Sequence, residues 1–215
     1  MSETQTNPSV NNQNVNQLNK DEIMATSTLA NQQSSLGKSE LLNFGNILKN
    51  ILQLQPGNIV ADLGAGGGLF TMQAARLVGD RGQVYAVDVV KGTLGEIESK
   101  ARMIGLYNIK IIWSNLEIVG ATKIPEGSLD FALLVNILFQ SKKHYEIIAE
   151  GTRLLKSGGK LLIIDWSNTT QGFAPPDDLQ VDQEKIQGYA QQLDLKLLQS
   201  FKAGKYHFGL IFEKE

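Results

Sequence analysis

The chain has 215 residues, 42% of them hydrophobic, enough for one domain with a sizeable core plus an accessory segment. Twenty basic residues against 22 acidic ones leave a net charge of −2, so no general electrostatic pull towards nucleic acid is expected. Cysteine is absent, which excludes disulfides, thiolate metal sites and cysteine nucleophiles. The two histidines, His144 and His207, stand in no metal-ligand spacing, and no metal is expected. The amino-terminal segment lacks the apolar core of a signal peptide, and no apolar run approaches the ~20 residues of a membrane helix. The expectation is a soluble, cytoplasmic protein.

Residues 1–35 are dominated by Asn, Gln, Ser and Thr and bury too little apolar surface to offset the entropy of ordering. They are expected to form a disordered polar tail, with residues 18–24 its best transient helix, and residues 36–215 the folded domain. From about Lys38, Leu41, Phe44, Ile47, Leu48, Ile51 and Leu52 make an apolar helical stripe that Pro56-Gly57 ends. Residues 59–61 then read as a buried strand, Gly64, Gly66, Gly67 and Gly68 as a tight loop, and residues 69–78 as a helix.

A second strand, residues 83–88, ends in Asp88, and residues 92–105 place Leu94, Ile97, Ala101 and Ile104 at helical spacing. Residues 109–113 read as strand three, 115–127 as a polar connection and 129–135 as strand four. A helix from about Ser141 sets Tyr145, Ile148, Ala149, Thr152 and Leu155 on one side, and residues 156–159 turn it into strand five, 160–166. After a Pro-containing loop, 167–180, comes a helix carrying Ile186, Tyr189, Ala190 and Leu193, then strands at 195–201 and 206–212. The four residues between those strands are too few for a parallel crossover, so the pair is antiparallel. The predicted fold class is α/β, a Rossmann-like seven-stranded, mostly parallel sheet with helices on both faces and a C-terminal antiparallel β-hairpin.

Ligands of open α/β sheets sit beyond the carboxyl ends of the strands, where the strand order reverses. That rule gathers Asp62 and residues 64–68 after strand one, Asp88 after strand two, Asn115-Leu116 after strand three and Asn136 after strand four. Asp88 suits the cis-hydroxyls of a ribose. A dinucleotide fingerprint would need glycine at position 69, which is Leu69, and no lysine follows the glycines as a phosphate loop requires. A carboxylate at Asp62 opposes a pyrophosphate and favours an ammonium group.

Here the chain resembles the class I S-adenosylmethionine-dependent methyltransferases, whose D/E-x-G-x-G-x-G hallmark is matched by Asp62-Leu-Gly-Ala-Gly-Gly-Gly68. The resemblance spans about residues 40–215. It includes Asp88, Ile124-Pro-Glu-Gly-Ser-Leu-Asp130, Leu155-Lys-Ser-Gly-Gly159 and the terminal hairpin, and it looks closest to the quinone-biosynthesis and related small-molecule branch. It implies S-adenosylmethionine as cofactor, held by the run Asp62, Leu63, Gly64, Ala65, Gly66 and Gly68. It further implies Asp88 on the ribose, Val89 against the adenine, Asn115 or the Leu116 backbone at the adenine amine, and the Asn136 carbonyl near the ammonium. Asn115 departs from the acid common at that place.

The implied reaction is an in-line methyl displacement onto a small-molecule acceptor, governed by alignment and water exclusion, with a general base optional. Asp165 and His144 are the candidates for that base, and Asp165 with Trp166 ends strand five where an acceptor pocket would lie. His207, in a strand, is a weaker choice. Asn136 and Asp165 are too few carboxylate-type groups for a magnesium-assisted catechol site. A non-catalytic cofactor-binding or protein-interaction module and a nicotinamide oxidoreductase stand as alternatives, and the oligomeric state is open.

Overall fold

The computed structural model describes residues 42–167 and 180–215; the predicted tail and residues 168–179 of the Pro-containing loop lie outside them. Asn43 opens the first helix, its side chain accepting the Asn46 N–H at 3.0 Å. That helix, α1 (Phe44–Asn46), runs on as a π-helical turn, Ile47–Ile51, where the sequence stripe suggests plain α-helix. The wider turn closes through the Leu52 N–H donating to the Ile47 carbonyl at 2.8 Å. Leu42, Ile47, Leu48, Leu52 and Leu54 are buried by it.

The strands and helices then alternate: β1 (Ile59–Leu63), α2 (Leu69–Val78), β2 (Gln83–Asp88), α3 (Lys91–Met103), β3 (Ile109–Trp113), β4 (Leu129–Val135), α4 (His144–Leu154), β5 (Leu155–Trp166), α5 (Gln183–Gln192), β6 (Leu195–Ala203) and β7 (His207–Lys214). A 3₁₀ turn, Leu138–Gln140, sits between β4 and α4. The sheet order is β3-β2-β1-β4-β5-β7-β6. β1 to β5 pair in parallel, and β7 is antiparallel to both β5 and β6; only residues 204–206 join β6 to β7, too few for a parallel crossover. The order turns back beside β1, so the carboxyl ends of β1 and β4 flank the switch point.

Alternation along the strands supplies two cores. Ala61, Leu63, Leu134, Leu161 and Ile163 face α4 and α5 through Ile147, Ile148, Ile186 and Ala190. Val60, Leu133, Leu162 and Ile164 face the first helix and α2 through Leu48, Leu52, Phe70, Ala74 and Val78. A smaller cluster sets Ala86 of β2 against Leu94 and Ile97 of α3. Strands buried on both faces explain why β1 and β4 are apolar apart from Asp62 and Asp130.

The main departures from the sequence reading lie in α4, α3 and β5, while β6 and β7 each run two residues further than expected. The buried residues of α4 are Ile147, Ile148, Glu150, Gly151, Thr152 and Leu154, which keep Ile148 and Thr152 of the expected stripe but not its ends: Tyr145 is exposed, and Leu155 belongs to β5. Ile104 is half exposed because α3 has ended at Met103. β5 starts at Leu155, and the predicted turn at residues 156–159 survives as an irregularity inside it, between the pairs Leu129–Leu155 and Phe131–Lys160.

Candidate functional site

Asp62 lies near the end of β1, buried, and its carboxylate accepts the Thr71 hydroxyl at 2.5 Å from the first turn of α2. Burial pushes its carboxyl up to about 6, against the pull of the Thr71 hydrogen bonds, and the nearby Asp88 charge adds to the rise. The strand end is thereby tied to the helix start, with the glycine loop spanning the gap. Within the loop, Gly64 and Gly68 have φ of 85° and 79°. A Cβ would fall 2.8 Å from Ile137 Cδ1 at Gly64 and 2.7 Å from Ile97 Cγ1 at Gly68, so side chains are excluded by backbone and packing together. At Gly66 and Gly67 a Cβ would meet nothing within 4 Å. The loop packs at its ends and is open in its middle.

Asp88 closes β2 against that opening. One carboxylate oxygen accepts the Gly66 N–H and the other the Val90 N–H, both at 2.8 Å. Each oxygen keeps a lone pair, and Asp88 is half-buried, so a diol can still be received. Exposed Val89 follows, its carbonyl accepting the Trp113 indole N–H at 2.8 Å, while Lys91 Nζ sits 4.1 Å above that ring. Asn115 is exposed and spends its side-chain oxygen on the Glu117 N–H at 2.9 Å. Leu116 is buried in the core, which leaves its backbone as the part available to a ligand. Between Trp113 and Asn115, Ser114 is buried, with its hydroxyl lacking a partner among the described residues.

Asn136 follows β4 with φ of 54°, a left-handed conformation that Asn tolerates better than most residues. Its carbonyl accepts the Gln140 side-chain N–H at 2.6 Å, and its buried Oδ1 has no partner among the described residues. The next residue, Ile137, is the one that Gly64 packs against. The ends of β1 and β4 therefore meet at an unpaired acceptor.

The two candidate bases converge on one peptide, from opposite sides. Asp165, fully buried, accepts the Leu138 N–H at 3.0 Å and the Phe139 N–H at 3.4 Å on one oxygen, and the Trp166 N–H at 2.9 Å on the other. Burial pushes its carboxyl up to about 7 against those three bonds. His144 Nε2 lies 2.9 Å from the Leu138 carbonyl. Both residues brace the 3₁₀ turn beside Asn136, a role the sequence did not disclose. His207, the third histidine-or-acid candidate, lies at the start of β7 with burial holding its imidazole down to about 4.

Sequence reasoning also missed Glu150, fully buried on α4. It accepts the Gly120 N–H at 2.6 Å, Arg153 Nη2 at 2.8 Å and the Thr122 hydroxyl and N–H, pinning the connection between β3 and β4. The available signal was the Glu150–Arg153 spacing of three on an amphipathic helix. Ser114 carried none. Among the described residues no cluster of three His, Cys, Asp or Glu is placed to hold a metal ion.

The hallmark loop, the acid that closes β2 and the strand order coincide with a family match: residues 61–163 fit the methyltransferase domain family. Residues 61–163 belong to the class I S-adenosylmethionine-dependent methyltransferases. The domain is 32% identical over 114 residues to a ubiquinone/menaquinone biosynthesis C-methyltransferase of Shewanella halifaxensis, across 53% of this chain and 44% of the relative. It is 26% identical over 126 residues to a demethylmenaquinone methyltransferase of Bacillus mycoides, across 57% and 51% of the two chains. The chain thus spans about half the length of the curated relatives it matches. The methyltransferase fold itself extends further: the crystal structure of a SAM-dependent methyltransferase from Aquifex aeolicus superposes with a TM-score of 0.75 at 23% identity, over 87% of this chain and 97% of that one.

Proposed function

We propose that this methyltransferase domain binds S-adenosylmethionine across the carboxyl ends of β1, β2 and β4 and transfers its methyl group to a small-molecule acceptor. The observation that carries the reading is Asp88, held by the Gly66 and Val90 N–H groups with lone pairs to spare at the open middle of the glycine loop. The residues present fit the cofactor. The unpaired Asn136 Oδ1 is a ready acceptor for an ammonium group, and the space over Gly66 and Gly67 admits close backbone approach.

In this reading Asp88 takes the ribose hydroxyls. Asn136 takes the amino-acid ammonium through its side-chain oxygen and the second lone pair of its carbonyl, and the Leu116 backbone or the Ser114 hydroxyl takes the adenine edge. When bound, the cofactor supplies an already activated methyl, so the chain's contribution is alignment and exclusion of water. Asp62 joins β1 to α2 and adds negative character on the ammonium side. Asp165 and His144 act through the 3₁₀ turn that carries the acceptor side of the cleft, and no proton transfer is assigned to either. The names of the quinone-pathway relatives support a small-molecule acceptor.

Titration calorimetry with S-adenosylhomocysteine tests the cofactor half of this reading, and saturable binding is expected. Absence of heat and of any thermal shift at millimolar ligand overturns it. Transfer of label from methyl-labelled S-adenosylmethionine to lysate metabolites tests the other half, and label found only on protein or RNA rules out a small-molecule acceptor.

A further inference from the structure

Trp166 and His207 face each other at the carboxyl edge of the sheet, the last residue of β5 paired in register with the first of β7. Their ring centroids lie 4.4 Å apart with an interplanar angle of 34°, and Phe139, from the 3₁₀ turn, sets its ring edgewise to Trp166 at 6.4 Å and 84°. Trp166 and His207 are each only 6% exposed. Yet Trp166 Nε1 and His207 Nε2 are buried with no hydrogen-bond partner among the described residues. A buried indole N–H and an imidazole nitrogen side by side cost the full desolvation of two polar atoms unless something pairs with them.

The place matters as much as the chemistry. β1, β4, β5 and β7 are adjacent in that order, so at ~4.8 Å per strand Trp166 stands about 10 Å and His207 about 14 Å along the edge from β1, past Asn136. The pair therefore lies on the same carboxyl edge as the glycine loop, on the far side of Asn136. Phe139 ties the pair to the 3₁₀ turn that Asp165 and His144 brace.

Resting on the cofactor reading above, we infer that Trp166 and His207 form the recognition point for the methyl acceptor, and that this acceptor presents an uncharged hydroxyl beside an apolar ring or chain. A hydroxyl matches both atoms: its oxygen accepts from the indole N–H while its proton is given to the imidazole nitrogen. An ammonium offers nothing for the indole to donate to. A carboxylate would have to shed its water in the same surroundings that keep the imidazole uncharged. Phe139 and the Trp166 face provide the apolar wall. The inference concerns recognition and leaves open which atom of the acceptor receives the methyl.

The test measures binding of phenol, toluene and benzoate to the full chain by ligand-observed NMR, with and without saturating S-adenosylhomocysteine. Wild type is expected to prefer phenol over both others by at least about fivefold. Trp166→Phe and His207→Phe, each of which removes one polar atom and keeps an aromatic ring, are expected to bring phenol down to the toluene level while toluene is unchanged. Equal binding of phenol and toluene to wild type overturns the inference, as does a phenol preference that survives both substitutions, the result expected if a trapped water satisfies the two nitrogens. S-adenosylhomocysteine affinity separates the two ideas. Its absence in wild type removes the cofactor reading, whereas intact affinity with no phenol preference removes only the recognition point.

Discussion

The Asp88 carboxylate accepts the Gly66 N–H at 2.8 Å, so the acid that ends β2 also sets the shape of the glycine loop that follows β1. One side chain thereby shapes two walls of the cleft. The bond spans 22 residues of sequence and lies beside the open positions Gly66 and Gly67, where a ligand can approach backbone.

Removing that carboxylate should therefore do more than delete a ribose contact. Asp88→Ala frees the Gly66 and Val90 N–H groups as well, and hydrogen bonds to a charged group are worth about 1.5–3 kcal/mol each. The expected outcome in calorimetry is a 10- to 100-fold weaker S-adenosylhomocysteine affinity. Asp88→Asn should fall between, because its amide nitrogen must face one of the two N–H donors. Wild-type affinity in Asp88→Ala would exclude the ribose role.

The glycines of the loop should separate into two kinds. Gly68→Ala puts a Cβ 2.7 Å from Ile97 Cγ1 at a φ of 79°, and is expected to cost about 1–3 kcal/mol in urea unfolding. Gly67→Ala meets open space at a backbone angle without that strain, and should stay within about 0.5 kcal/mol of wild type. Equal losses at both positions would contradict this division.

The seven strands, the antiparallel end and the placing of Asp62, Asp88 and Asn136 at one edge are all legible in the sequence. Apolar runs, terminal acids and a four-residue connection leave few topologies open. What stayed hidden depends on facing partners. The α4 stripe holds at Ile148 and Thr152 but overruns the helix, because Leu155 continues an apolar series that the chain leaves when β5 begins. The work of Asp165 and His144 was unreadable because both bind the backbone of Leu138, and any residue can present a backbone peptide. The bond between Asp88 and Gly66 is hidden for the same reason, although each residue carries a sequence signal of its own.

Glu150 should prove the main anchor of the connection that carries Asn115 and Leu116. Burial alone would raise its carboxyl, but Arg153, Gly120 and Thr122 outweigh that and hold it below the usual range. Glu150→Gln leaves Arg153 uncompensated, and because Arg153 is partly exposed the expected cost at pH 7 is about 3 kcal/mol, the low end for breaking a buried pair. A lowered carboxyl contributes stability above its unfolded pKa of 4.5 and loses it as pH falls through the folded value, so the gap between variant and wild type should narrow in acid. A gap that is constant with pH would mean that the ionised pair is not its source.

Two buried groups at the edge should bend the stability profile in opposite directions. His207, lowered from 6.5 to about 4 by burial, stays neutral in the fold while the unfolded chain takes up a proton. Its contribution is present above pH 6.5 and falls as pH drops towards 4, by at most about 3 kcal/mol at ~1.4 kcal/mol per pH unit. Asp165, raised from 3.8 to about 7 by burial, keeps its proton in the fold while the unfolded chain loses one. Its contribution is present below pH 3.8 and falls as pH rises towards 7. In wild type the two slopes oppose each other between about pH 4 and 6.5, and Asp62, raised from 3.8 to about 6, adds to the fall with rising pH, so neither group is visible by itself. Single substitutions expose them. The cost of His207→Phe should shrink as pH falls from 6.5 to 4, because the variant escapes the acid loss. The cost of Asp165→Asn should shrink as pH rises from 4 to 7, above a constant part that comes from setting an amide nitrogen against the backbone N–H donors of Leu138, Phe139 or Trp166. Urea unfolding at four pH values between 4.5 and 7.5 decides, and parallel curves for wild type and both variants would show that neither group titrates differently in the folded chain.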